Sequence, residues 1–377
     1  MSRSRLAQLS HAQLLEFAVD ACESSRELKN KADALIAQVA PLPAWCLDIL
    51  MSPDLLPQLF SSLGLSDHAA AAVCSTWSRA YSRQLRRCRY INPTRERRLA
   101  DVPQYPNGLC MLPGGVLAIT SLANDGSAVN FVAARSDTDS QALAACRASS
   151  LATRRISWPM GMARTNDGLL ACSFYGPSAA LYKFALDGSM DELATVPPLA
   201  EYRGGFSQCA VHQQTQRTYA LAMGRGTLRD ALVLLDSNLR VVATVDAADS
   251  DQAIVGVAVH GDQVIVLTGT GHPKGSGLQL LDLDGRFLRT IAARGFRGPE
   301  VVAASHGRVF VVDDVDDDGE DIAKMLHVID IQSGDSLQTV SFELEGVSAI
   351  VVDGDEIYIA GLVAGQVVVL QLAGSEA

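Results

Sequence analysis

From about residue 106 onward, the hydrophobic and polar positions repeat one plan six times: a glycine-marked opening, a short apolar strand, a tight turn, and a second apolar strand. The openings are Pro106-Asn107-Gly108, Pro159-Met160-Gly161, Gly204-Gly205-Phe206, Ile254-Val255-Gly256, Pro299-Glu300-Val301 and Gly346-Val347-Ser348. Positions 108, 161, 205, 256, 301 and 347 are separated by steps of 53, 44, 51, 45 and 46 residues. A period of that length built of strands predicts propeller blades rather than a helical solenoid.

Each unit carries its own turn chemistry. A turn pair follows the first strand at Gly114-Gly115, Asp167-Gly168, Gly261-Asp262, Gly307-Arg308 and Gly354-Asp355, supplying the positive φ that two-residue hairpins require. In the third unit, residues Gln213–Thr218 stand where the glycine turn is expected. Third strands run into a further turn, as in Leu278–Leu283 before Asp284-Gly285. Fourth strands such as Leu239–Val245 and Leu337–Phe342 are more polar, as befits an outer edge. The last unit has no room for a fourth strand before Ala377. An open blade would leave an unpaired edge, so the stretch Tyr90–Val102 is expected to close a six-bladed ring. A five-bladed ring with 128–156 as an insertion is the alternative count. The fold class is therefore mainly β, a six-bladed β-propeller preceded by a small all-α domain.

That N-terminal domain shows helical periodicity. Residues 1–40 read as a helical hairpin, and 41–89 as a second helical module. Pro53 opens a helix with Leu55, Leu56, Leu59, Phe60 and Leu63 on its apolar positions. Ser66 or Asp67 caps the next helix, which runs to Val73, Cys74, Trp77 and Tyr81. Pro53, Leu59, Leu63, Asp67 and the Val73-Cys74-x-x-Trp77 ending resemble the F-box, over about 30 residues of the chain. The order of parts resembles that of F-box proteins with a C-terminal propeller of the NHL/kelch-like kind. The resemblance implies a partner-binding role for Pro53, Leu55, Leu59, Phe60, Leu63, Val73, Cys74 and Trp77, which would dock a Skp-family adaptor and through it a cullin. The propeller would then capture an unknown protein substrate for ubiquitination. On its own, the same apolar set also describes the core of any small helical bundle.

Enzymatic chemistry finds little support in the pattern. A calcium-dependent propeller lactonase or esterase needs an axial metal held by several oxygen ligands. The inner strands are nearly all apolar and offer only Asn107 and Glu300 at their openings. Neither a nucleophile elbow nor an HExxH motif occurs. The seven histidines are scattered, with His260 and His306 just before glycine turns. No cofactor and no metal site is expected, and a non-catalytic interaction scaffold unrelated to ubiquitination is the second reading.

Charge narrows the partners. Residues 1–105 hold 13 Lys and Arg against 10 Asp and Glu, and the rest of the chain 18 against 32. An acidic propeller argues against nucleic acid. The eight cysteines show no CxxC pairing, which together with the absence of any apolar run of membrane-spanning length points to a cytoplasmic or nuclear protein. Connections between second and third strands are the long ones, at Ser173–Ala179, Met223–Asp230, Gly269–Gly277 and Asp313–Ala323. By strand polarity they share one rim, and binding residues concentrate on such loops. Tyr175, Arg225, Arg229, His272, Lys274, Asp313, Asp314, Asp316 and Asp318 are the candidate recognition residues. Asp314-x-Asp316-x-Asp318-Gly319 matches only the first half of a calcium loop, because Met325 stands where its closing glutamate belongs.

Overall fold

The apolar runs of the sequence become strands whose two faces are both buried, each face against a different neighbouring blade. A computed structural model of the chain describes residues 91–122, 128–150, 156, 158–176, 179–186, 191–200, 204–224, 230–246, 253–269, 276–292, 296–314 and 323–372. The helical hairpin 1–40 and the F-box-like module 41–89 lie outside them.

The described strands form six sheets. The first blade contains β2 (Pro106–Leu112), β3 (Val116–Ser121) and β4 (Ala128–Ala133), preceded in the chain by β1 (Ile91–Arg98). The second holds β5 (Pro159–Arg164), β6 (Gly168–Ser173), β7 (Ala180–Ala185) and β8 (Glu192–Val196). The third holds β9 (Phe206–His212), β10 (Arg217–Ala222), β11 (Ala231–Leu235) and β12 (Val241–Asp246). In the fourth are β13 (Ala253–His260), β14 (Gln263–Gly269), β15 (Gly277–Asp282) and β16 (Phe287–Ala292). The fifth comprises β17 (Pro299–Ser305), β18 (Arg308–Asp314), β19 (Ala323–Asp330) and β20 (Ser336–Glu343). The last has β21 (Val347–Asp353), β22 (Glu356–Gly361) and β23 (Gln366–Leu372), with β1 hydrogen-bonded outside β23.

All pairings within the sheets are antiparallel. The innermost strands contact one another around a ring, β2 to β5, β9, β13, β17, β21 and back to β2. Six apolar clusters fill the six gaps between consecutive blades, and one of them joins Leu117 and Ile119 of the first blade to Tyr358 and Val369 of the last. The chain is a six-bladed propeller, which removes the five-bladed count.

Two local departures from the sequence pattern have physical causes. The first blade has three strands among the described residues, and α1 (Ser140–Ser150) follows them where the other blades carry a fourth. Asp139 Oδ1 caps the helix by accepting from the N–H groups of Gln141 (2.8 Å) and Ala142 (3.2 Å). Ala142, Leu143 and Cys146 pack onto the core, while Arg147 Nε donates to the Phe131 carbonyl of β4 at 3.1 Å. A helix thus covers a sheet edge that would otherwise be open. At the Asp167-Gly168 turn, Gly168 does not take the positive φ expected of it. Glycine is needed there because a Cβ would meet the Phe184 carbonyl oxygen at 2.6 Å.

Closure at the last blade is tight at both ends of β1. Ile91 is buried, and the Gln338 amide of β20 clamps its backbone, accepting from Ile91 N at 2.5 Å and donating to Ile91 O at 3.0 Å. Register then shifts between Asn92 and Glu96. Pro93 falls in that bulge, so its missing N–H breaks no ladder bond. Glu356 of β22 accepts from Arg97 of β1 (2.7 Å), from Arg135 beyond β4 (2.8 Å) and from Tyr358 (2.5 Å). Arg135 also donates to the carboxylate and carbonyl of Asp353, both at 2.8 Å. One carboxylate therefore ties together the closing strand, the last blade and the first. Burial raises the Glu356 pKa, but the hydrogen bonds from Tyr358, Arg97 and Arg135 outweigh that and leave it below its usual value.

Candidate interaction face

Every innermost strand runs from the opening motif to the short turn, so the openings and the long second-to-third loops share one rim. A corner residue just before five of the six first strands is locked there by a recurring bond. The carbonyls of Tyr105, Trp158, Gly205, Gly298 and Gly346 accept from the N–H groups of Leu122, Phe174, Met223, Asp314 and Leu362, at 2.7 to 3.2 Å. Four of these corners take a left-handed backbone: Tyr105 (φ 53°), Trp158 (φ 50°), Gly205 (φ 77°) and Gly346 (φ 64°). Two blades therefore meet the geometry with glycine, and two with a large aromatic residue that precedes a proline.

Those two aromatics point outward. Trp158 is 52% exposed and Tyr105 42%, and Tyr175 from the adjoining loop is 50% exposed. Trp158 and Tyr175 meet edge to face at 6.3 Å between ring centroids, and Phe174 lies 6.2 Å from Tyr175. Opposite-coloured chemistry gathers at the corner of the fifth blade. Asp313 is only 2% exposed, and its carboxylate accepts from the backbone N–H groups of Arg297 and Gly298 at 2.8 to 3.0 Å, with His327 Nε2 3.4 Å away. Buried Lys324 lies 3.2 Å from both Glu300 and Asp314. Burial raises the Glu300 pKa, an effect that Lys324 offsets only in part.

Of the rim residues singled out in the sequence, Tyr175 is exposed, Asp314 is half-buried beside Lys324, and Asp313 turns inward to hold a backbone corner. Arg225, Arg229, His272, Lys274, Asp316 and Asp318 lie outside the described residues, as do Pro53, Leu55, Leu59, Phe60, Leu63, Val73, Cys74 and Trp77. Trp158 and Tyr105 were missed by sequence reasoning. Their signal was an aromatic-Pro-x-Gly string at both the first and the second opening.

The propeller axis offers little room. A cavity of about 60 Å³ is lined from every blade, by Leu109, Met162, Gln208, Val257, Val302 and Ile350 among others. It holds a few water molecules at most. The amide of Asn107 is engaged by the Pro159 carbonyl at 2.8 Å. Among the described residues, no three His, Cys, Asp or Glu side chains are grouped to hold a metal ion. Cys110, Cys172 and Cys209 are buried free thiols, and burial pushes Cys110 up to about 12. No described helix is long and apolar enough to cross a membrane.

The opposite rim is stitched between blades. His212 Nε2 lies 3.5 Å from Asp262 of the fourth blade, His260 Nε2 accepts from Gly307 N of the fifth at 3.2 Å, and His306 Nε2 is 3.0 Å from Gly354 O of the sixth. These positions recur at steps of 48 and 46 residues, a period hidden within the scatter of seven histidines.

No family model matches the chain, and no curated protein matches it. Solved structures similar to it include Kuenenia stuttgartiensis hydrazine synthase, at 15% identity over 72% of this chain and 78% of that one, with a TM-score of 0.48. A chain of a nidogen/laminin complex is similar at 10% identity over 63% and 80%, with a TM-score of 0.45. The computationally designed Ika8 protein is similar at 13% identity over 71% and 70%, with a TM-score of 0.41.

Proposed function

We propose that the chain is a non-catalytic adaptor whose propeller captures a target protein while its helical segment docks a ubiquitin-ligase scaffold. The observation that carries this reading is the order of parts. The Pro53 to Val73-Cys74-x-x-Trp77 string, which resembles an F-box, stands shortly upstream of Ile91, where the propeller's closing strand begins. A Skp-family adaptor would take the apolar face of Leu59, Phe60, Leu63 and Trp77, as partner grooves take amphipathic helices. A cullin would follow through that adaptor, and catalysis would belong to the partner enzymes. Exposed aromatics on a rigid rim support target binding by the propeller, whether or not ubiquitination follows.

Pulldown of the full chain with a purified Skp-family adaptor tests the reading. The wild type is expected to retain the adaptor, and Leu59→Asp combined with Trp77→Ala to lose it with an unchanged circular dichroism spectrum. A folded wild type that retains no adaptor sinks the ubiquitin-ligase role and leaves an interaction scaffold.

A further inference from the structure

The corners at Tyr105 and Trp158 hold conformations that cost stability. A bulky residue at positive φ is strained, and a following proline further restricts its backbone. Gly205 and Gly346 show that the same corner can be built with glycine. At Tyr105 and Trp158 the chain instead keeps a large ring in a strained backbone and exposes it to water. Neither ring repays this by burial. Strain of that kind, concentrated beside a third exposed aromatic at Tyr175, marks a surface kept for contact. Tyrosine and tryptophan suit such a surface because they offer large area for little side-chain entropy.

Charge says what kind of partner fits. On this rim Asp101, Asp246, Glu343 and Glu345 are exposed carboxylates, while Glu300 and Asp314 share the buried Lys324. The described cations there are Arg98, hydrogen-bonded to Gln366, Arg297, and Lys324 itself. The described residues of this rim are net negative, which attracts and orients a basic segment, and a flat guanidinium stacks on aromatic faces better than an ammonium does. The closing strand starts at the opposite, short-turn end, where Ile91 pairs with Leu372.

We propose that Trp158 and Tyr175, with Tyr105 on the neighbouring corner, form a binding face for an arginine-bearing basic segment of a partner polypeptide. This deepens the target-binding half of the function proposed above and is independent of the adaptor-docking half.

The test is fluorescence anisotropy with the full chain and labelled octa-arginine, octa-lysine, octa-glutamate and a neutral proline-rich peptide. Octa-arginine is expected to bind more tightly than octa-lysine. Trp158→Gly and Tyr175→Ala are each expected to weaken octa-arginine about fivefold to tenfold, with a smaller effect on octa-lysine. Trp158→Gly is further expected to leave Tm unchanged or raised, because it relieves the corner. Equal affinity for the two basic peptides, unchanged binding by both variants, or tighter binding of the acidic or proline-rich peptide overturns the proposal. A fall in Tm for Trp158→Gly overturns it too, because the ring would then serve packing. Adaptor pulldown separates the two readings: Trp158→Gly should retain the adaptor, and Leu59→Asp with Trp77→Ala should retain octa-arginine.

Discussion

Removing the Glu356 carboxylate by Glu356→Ala should open the seam where the ring closes. The side chain is 13% exposed and accepts three charge-assisted or buried hydrogen bonds. Their losses are unequal. Arg97 is 41% exposed and regains water, so its share is about 0 to 1 kcal/mol. Arg135 keeps Asp353 and loses about 1 kcal/mol, while buried Tyr358 is left without its acceptor at about 1 to 2 kcal/mol. The expected destabilisation is about 2 to 4 kcal/mol, or about 4 to 8 °C in Tm for a domain of this size. Scanning calorimetry measures the shift, and hydrogen exchange should show protection lost first over Ile91–Arg98. The pH dependence has a fixed sign. The Glu356 pKa is depressed in the folded state, so its contribution is complete above the unfolded glutamate pKa and vanishes as pH falls through the folded one. Wild type and variant should therefore converge in acid. Equal Tm at pH 7, or a gap that stays constant down to about pH 3, refutes the reasoning.

Deleting residues 1–103 should lower Tm more than deleting 1–85, because only the first removes β1 from β23; equal midpoints in thermal unfolding would contradict this role for the strand. Gly205→Ala should cost on the order of 3 kcal/mol in urea unfolding, since a Cβ would sit 2.4 Å from the Ser173 carbonyl oxygen at φ +77°, whereas Gly261→Ala, with nothing within 4 Å, should cost about 1 kcal/mol. Lys324→Met should lose about 2 kcal/mol at neutral pH by leaving the buried Glu300 carboxylate without its cation, and the loss should shrink in acid as Glu300, whose pKa burial raises, takes up a proton, as read by chemical denaturation at each pH.

What the sequence revealed and concealed follows from the range of each interaction. Openings such as Pro159-Met160-Gly161 and turns such as Gly354-Asp355 are local, and periodic spacing made them visible. The helix at Ser140–Ser150 was hidden because its support is tertiary: its apolar side chains rest on the core of the first two blades, and Arg147 serves a strand edge. Blade-to-blade partners were hidden for the same reason. Glu356 sits far in sequence from Arg97 and Arg135, and His212, His260 and His306 bond to residues one blade onward. Asp313 looked like a surface acid because it opens an acidic run, yet the backbone of Arg297 and Gly298 needed an acceptor. Tyr175 was legible from loop length alone, but Trp158 and Tyr105 required backbone angles that composition does not carry.

The two rims of the propeller divide stability from exposure. At the short-turn rim, histidines cross three consecutive joints, and Arg217 of the third blade donates to Leu283 O (3.0 Å) and Asp284 (2.7 Å) of the fourth. Arg135 and Glu356 cross the joint between last and first blades. Neighbouring blades are thereby fixed against each other where no long loop competes for space. At the other rim, Tyr105 and Trp158 are held at positive φ by the bonds their carbonyls accept from Leu122 N and Phe174 N, both 3.1 Å. Among the described corners of this rim, a non-glycine residue at positive φ falls at two adjacent blades, which gives the rim a preferred sector.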